Sequence, residues 1–212
     1  MLDPNSSSID RFLEALAAGS ATPGGGAATA LAAAAAAALI AMTCRLTLGR
    51  DRFRQHERTL AAALQSAERA RRHALDLVAG DVAAYAAVSD ARALPRATAD
   101  ERRRRAGHIR QSMEGATHVQ LRTADVAAGL IELSAGLAGC TNPNAAADLG
   151  VGVLLARVAL EGAALNVRTN LALIQDEPFR ASITAELEQL LRALPRCAEL
   201  MEQLQPPNRR VQ

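Results

Sequence analysis

Ser20 to Gly49 reads SATPGGGAATALAAAAAAALIAMTCRLTLG, a Pro-Gly-Gly-Gly turn followed by an alanine-dense apolar run from Ala27 through Thr47. Three successive glycines cost backbone entropy, so they belong where the chain turns sharply or lies very close to something. Alanine has the best helix propensity and a side chain small enough for neighbouring helices to approach. The run therefore predicts a buried helix whose unbonded N-terminal amides face back into the glycine turn. Gly24, Gly25 and Gly26 then have two readings. The turn either permits tight packing or forms a pocket where an anion or a carbonyl oxygen meets backbone N–H groups. A phosphate loop is excluded, because G-x-x-x-x-G-K-[ST] is missing and no strand precedes the turn.

Helical spacing continues on both sides. Ser6 to Ser8 can cap a first helix with Ile9, Phe12, Leu13 and Leu16 on one stripe, stopped by Gly19. Gly49 stops the alanine helix. A third helix is predicted from Asp51 to about Ser89, striped by Leu60, Leu64, Ala67, Leu75, Val78, Val82 and Tyr85. At roughly 55 Å it is too long for a compact monomer unless it packs along its length. Pro95 breaks the chain, and Thr98 to Glu101 forms a capping box for a fourth helix reaching Ala138. After a Cys-Thr-Asn-Pro-Asn turn, Asn144 can cap a helix carrying Val151, Leu154, Leu155, Val158 and Leu165. A last helix from Pro178 bears Ile183, Leu187, Leu190, Leu191 and Leu194, and Pro206-Pro207 ends the ordered chain. Nothing reads as strand. The expected fold is all-α: one multi-helix bundle over residues 1–212, with an ordered core of about 8–204.

Composition agrees. Half of the 212 residues are apolar, yet only Phe12, Phe53, Tyr85 and Phe179 are aromatic, so alanine and leucine fill the core. A net charge of +2 makes no electrostatic case for nucleic acid or an anionic membrane. Every basic residue is arginine, which excludes Schiff-base or lysine general-base chemistry. Cys44, Cys140 and Cys197 lie far apart and read as reduced apolar fillers; with four scattered histidines they form no metal-ligand spacing. Alanine drives membrane insertion weakly, so the apolar run is expected in a core rather than a bilayer. No basic and apolar leader opens the chain, and the expected location is the cytoplasm.

Polar groups on apolar faces are the candidates for chemistry, because burying them costs free energy. Asp81 lies between Val78, Val82 and Tyr85; burial would raise its pKa and suit it to proton transfer. On spacing alone, pairing with a nearby arginine is the favoured alternative. Asn166 and Asn170 share a helix face and could read the donors and acceptors of a heterocycle. Asn142, Asn144 and Asp148 cluster around a helix start, where a carboxylate also suits the dipole. Arg102 to Arg105 are a solvated face or a site for a polyanion.

Six motifs occur in order: Pro23-Gly24-Gly25-Gly26; Arg45-Leu46-Thr47-Leu48-Gly49-Arg50; Asp81-Val82-Ala83-Ala84-Tyr85; Leu94-Pro95-Arg96-Ala97-Thr98; Asn142-Pro143-Asn144 with Asp148; and Ala164-Leu165-Asn166-Val167. Over about residues 9 to 180 the chain resembles the cyclodeaminase/cyclohydrolase family of formiminotetrahydrofolate cyclodeaminases and bacterial methenyltetrahydrofolate cyclohydrolases. The resemblance implies an all-helical subunit that forms a homodimer, with folate as small-molecule substrate between helices and subunits and no cofactor. Asp81 matches the catalytic aspartate. Pro23, Gly24, Gly25, Gly26, Asn142, Asp148 and Asn166 match positions that line or shape the folate pocket, and Arg50 keeps charge for the glutamate tail where relatives carry lysine. The chain departs from the family pattern at Arg45, Ala79, Gly80, Thr141 and Ala147, and at Gln120, where relatives frequently have proline. The expectation is a cyclohydrolase; the alternatives are a cyclodeaminase and a non-catalytic folate-binding or structural helical dimer.

Overall fold

A computed structural model describes residues 9–204. Its helices are α1 (Ile9–Ala17), α2 (Gly25–Thr47), α3 (Glu57–Ala93), α4 (Ala99–Ala135), α5 (Ala146–Leu171), α6 (Glu177–Leu191) and α7 (Leu194–Leu204). Short 3-10 turns at Asp51–His56 and Pro143–Ala145 precede α3 and α5. No strand occurs among the described residues. Helices α2 to α5 form a four-helix bundle in which α2 packs on α3 and α5, and α4 closes the ring. Helices α6 and α7 cover α4 and α5.

Alanine sets the bundle's geometry. Ala27, Ala30, Ala33, Ala36 and Ala37 of α2 are fully buried, so neighbouring backbones approach closely. Helix α5 crosses α2 in the opposite direction, with Gly152 against Ala36 and Ile40 and Gly162 against Thr29. A β-carbon at Gly162 would lie 2.8 Å from the Thr29 hydroxyl, closer than packing allows. Buried Thr29, Thr43, Thr47, Thr117 and Thr123 donate to carbonyls one turn earlier, which satisfies their hydroxyls inside an apolar bundle. By length and composition α2 and the Pro143–Leu171 segment containing α5 could cross a membrane, yet more than half of the α2 window is buried in the bundle.

Unequal helix lengths create the site. Helices α3 and α4 have 37 residues each and α2 has 23, a difference of roughly 20 Å. Because Asp81 of α3 meets Gly26 at the start of α2, residues 82–93 of α3 and the first half of α4 project past that start. The capping box forms as expected: the Thr98 N–H donates to Glu101 Oε2 at 2.8 Å, and the Glu101 N–H to Thr98 Oγ1 at 3.2 Å. Arg102 and Arg105 hold carbonyls of Ala97 and Arg92, while Arg103 and Arg104 pair with Asp100. The arginine run therefore braces the α3–α4 corner.

Several local expectations are corrected. The long third helix begins with a 3-10 turn and ends at Ala93, not Ser89. Asn142, not Asn144, caps the next element, its Oδ1 accepting from the Asn144 N–H. The last helix is two helices, with Pro195 in the first turn of α7 where its missing N–H costs nothing. In α1 only Phe12 is buried, whereas Ile9 and Leu13 are exposed. Ser6 to Ser8 and Pro206-Pro207 lie outside the described residues. The largest change is in α5: Val151, Leu154, Val158 and Leu165 face outward, Val158 57% and Leu165 67% exposed. The face that packs inward carries Leu149, Val153, Leu160 and Val167 instead, with Gly152 and Gly162 where α5 crosses α2 most closely.

Candidate active site

Where α2 starts and the longer helices continue, a cavity of about 310 Å³ opens. Gly24, Gly25 and Gly26 form its floor, Asp81, Tyr85 and Arg92 of α3 one wall, Met113 and Gln120 of α4 another, and Asn166 and Asn170 of α5 a third. Antiparallel packing of α5 on α2 brings Asn166 here, since the C-terminal half of α5 lies beside the N-terminal half of α2.

Asp81 is half-buried among these elements. Gln120 Nε2 donates to its Oδ1 at 2.6 Å, and the Ala27 backbone N–H in the first turn of α2 also bonds the carboxyl. Burial pushes the Asp81 pKa above the usual carboxylate range, and the two hydrogen bonds oppose that rise without cancelling it. The arginine pairing favoured by spacing is corrected: no cation contributes to Asp81, and its side-chain partner is an amide from α4. Sequence spacing could not find Gln120, which lies 39 residues away.

The three glycines play different parts. None has positive φ, so sharp turning does not explain them. A β-carbon on Gly26 would overlap Asp81 Oδ1 and Gln120 Nε2, whereas one on Gly25 would meet nothing within 4 Å. Gly26 lets the carboxylate reach the helix end, and Gly25 leaves cavity space open. Pro23 follows Thr22 through a cis peptide bond at the cavity edge. Asn166 commits one amide hydrogen to the Gly162 carbonyl at 2.9 Å, which orients the rest of its amide.

Arg50, Asn142 and Asp148 do not line this cavity; they sit at the other end of α2. The Asn142 N–H donates to Thr47 Oγ1 at 3.0 Å, tying the turn before α5 to the last residue of α2. Roughly 30 Å of helix separates that lock from Gly26. Arg92 is a wall residue that sequence reading missed; it lies three turns beyond Asp81 on the same face of α3, with Tyr85 and Val88 between them, and that spacing was the signal available. Among the described residues no group of three histidine, cysteine or acidic side chains is placed to hold a metal ion. Burial raises the Cys44 thiol to about 11, so it stays protonated and inert at neutral pH.

Residues 8–189 match the family model described as Formiminotransferase-cyclodeaminase. The chain is 38% identical over 184 residues to the methenyltetrahydrofolate cyclohydrolase of Methylorubrum extorquens, covering 87% of this chain and 88% of that protein. It is 31% identical to the formimidoyltransferase-cyclodeaminase of Mus musculus, spanning 34% of that longer protein. The crystal structure of formiminotetrahydrofolate cyclodeaminase from Thermotoga maritima superimposes with a TM-score of 0.85 at 25% identity, covering 94% of this chain and 96% of the other. Sequence and fold thus agree, and the chain belongs to the formiminotransferase-cyclodeaminase family.

Proposed function

We propose that this protein is a one-carbon folate enzyme that hydrolyses 5,10-methenyltetrahydrofolate to 10-formyltetrahydrofolate, with Asp81 as proton shuttle. The observation that carries the reading is Asp81 itself: a carboxyl of raised pKa, held at a helix N-terminus inside a cavity. The near full-length likeness to a methenyltetrahydrofolate cyclohydrolase selects the reaction. Cyclodeamination of a formimino group is the second reading, favoured by the fold match; it needs the same shuttle with ammonia leaving.

The methenyl carbon is a cationic amidinium carbon and already electrophilic, so the route uses no metal or cofactor. Ionised Asp81 takes a proton from water as the oxygen bonds to that carbon, and its charge stabilises the cation beforehand. Asp81 then returns the proton to the ring nitrogen as the carbon–nitrogen bond breaks. The carbinol proton departs as the formyl C=O forms. A raised pKa suits a group that must both take and give a proton near neutrality. Asn166 and Asn170 supply amides for the heterocycle, and Arg92 a cation for the anionic tail.

The working unit in this reading is a cytoplasmic homodimer of single-domain chains. The exposed apolar stripe Val151, Leu154, Val158 and Leu165 supports it, because a two-fold interface needs one self-complementary face. Packed antiparallel across α5, each copy would bring Arg50, Asn142 and Asp148 towards its partner's cavity. Loss of near-ultraviolet absorbance from methenyltetrahydrofolate tests the activity. Turnover well above the spontaneous rate supports hydrolysis, whereas ammonia release from formiminotetrahydrofolate supports the second reading. Folate binding without turnover of either points to a non-catalytic binder. Val158→Arg is expected to give a monomer by sedimentation. Mixing inactive Asp81→Asn and Asp148→Asn chains is expected to restore about a quarter of wild-type activity if two subunits build each site.

A further inference from the structure

Gln120 holds an unusual position. It is 2% exposed, in the middle of an uninterrupted α4. One end of its amide is bonded: Nε2 donates to Asp81 Oδ1 at 2.6 Å, a short contact of the kind that charged acceptors favour. The other end is not, for Oε1 is buried with no hydrogen-bond partner. It is the one such buried side-chain atom among the described residues. An orphan acceptor is costly to bury, and the surrounding fold offers simple remedies such as an apolar residue of similar length. Gln120 also lines the cavity beside Asp81. Gly26, which has no β-carbon, gives the space that both Asp81 Oδ1 and Gln120 Nε2 occupy. Three elements therefore converge on this one amide–carboxylate pair.

We propose that Gln120 is a positioning residue for Asp81 and a ligand acceptor at once: Nε2 clamps the carboxylate, and Oε1 receives a hydrogen bond from an N–H of the bound heterocycle. The clamp acts with or without ligand. By donating to Oδ1 it favours the ionised carboxylate and fixes its orientation, so the proton-accepting direction is set before substrate arrives. The acceptor half makes binding selective for a ring that presents a donor at that point, because a ring lacking it would leave Oε1 unpaired. The second half rests on the folate-type reading of the cavity; the first does not.

The test uses the full-length protein with Gln120→Met, which keeps length and removes both polar ends, and Gln120→Glu, which keeps shape. Carboxyl carbon NMR, assigned by difference from Asp81→Asn, follows Asp81 without any substrate. In Gln120→Met the Asp81 titration is expected to move upward by about one to two pH units, the size of a lost bond to a charged acceptor. The acid limb of kcat should move with it, and KM for methenyltetrahydrofolate should rise about tenfold. Gln120→Glu can donate only while protonated, so its activity should be confined to lower pH than that of wild type. An unmoved Asp81 titration in Gln120→Met overturns the clamp, and a KM unchanged in both variants overturns the ligand contact. Normal turnover by Asp81→Asn would instead sink the proposed reaction, while the substrate-free titration would still decide the clamp.

Discussion

The two ends of α2 close the same alanine helix and do opposite things. At the Thr47 end the helix terminus is locked by internal bonds: Thr47 donates to Thr43 and accepts from Asn142, and Arg45 pairs with Glu68 at 2.9 Å. Arg71 bonds the same carboxylate, and the two guanidinium groups hold Glu68 below the usual carboxylate range. At the Gly25 end the bonding is incomplete. Asp81 carries a raised pKa, Gln120 an unpaired oxygen, and Gly25 faces open space. A fully paired helix end contributes stability, and a partly paired one is available to a ligand. The lesson is that unspent hydrogen bonds, more than residue type, separate a lock from a site.

The sharpest way to break this comparison is Asp81→Asn. Loss of a general base should lower kcat by about 10²- to 10⁴-fold, yet stability at neutral pH should rise. The sign follows from the raised pKa: the folded protein binds the Asp81 proton more tightly than the unfolded chain. That contribution is fully present below the unfolded pKa and lost as pH rises through the folded one. Thermal melts at pH 4 and pH 8 check it, with the variant gaining on wild type only at the higher pH.

Gly26→Ala comes next. Its methyl group would push aside the ends of two side chains rather than backbone, so the fold should survive while the amide–carboxylate pair is broken. Misplacing a reacting group costs about 100-fold in kcat. Gly25→Ala is the paired control, adding a methyl in open space and helix propensity at a first-turn position. It should melt no lower than wild type and raise KM alone.

At the other end, Thr47→Val removes the acceptor for the Asn142 N–H and should cost about 1–3 kcal/mol by denaturant unfolding. The pH midpoint of activity should stay where it is. A shifted midpoint would mean the two ends are coupled along α2. Smallest of all, Thr98→Ala breaks the capping box and should cost about 1 kcal/mol, with no kinetic effect.

Much of the fold was legible because its signals are local. The alanine run, Gly19, Gly49 and the Thr98–Glu101 box each encode a start or a stop within a few residues. Asp81 was legible as a polar residue on an apolar face. Which apolar face turns inward was not legible in α5, because the helix carries bulky apolar residues on both sides: Val151, Leu154, Val158 and Leu165 face outward, while Leu149, Val153, Leu160 and Val167 share the inner face with the Gly152 and Gly162 that the close crossing with α2 requires. Asp81's partner was not legible either: spacing shows neighbours on one helix, and Gln120 comes from another.

The sequence by itself determined an all-helical chain, most of its helix ends though not the break between α6 and α7, the family, and the candidacy of Asp81, since propensity, capping and motif order are properties of the chain read locally. Tertiary structure alone decided that Asp81 meets Gln120 and Gly26, that Asn166 and Arg92 join them, and that Asn142 locks the far end of α2. Those outcomes depend on how closely helices of unequal length can approach, which is set by side-chain volume at the crossings and by no single segment.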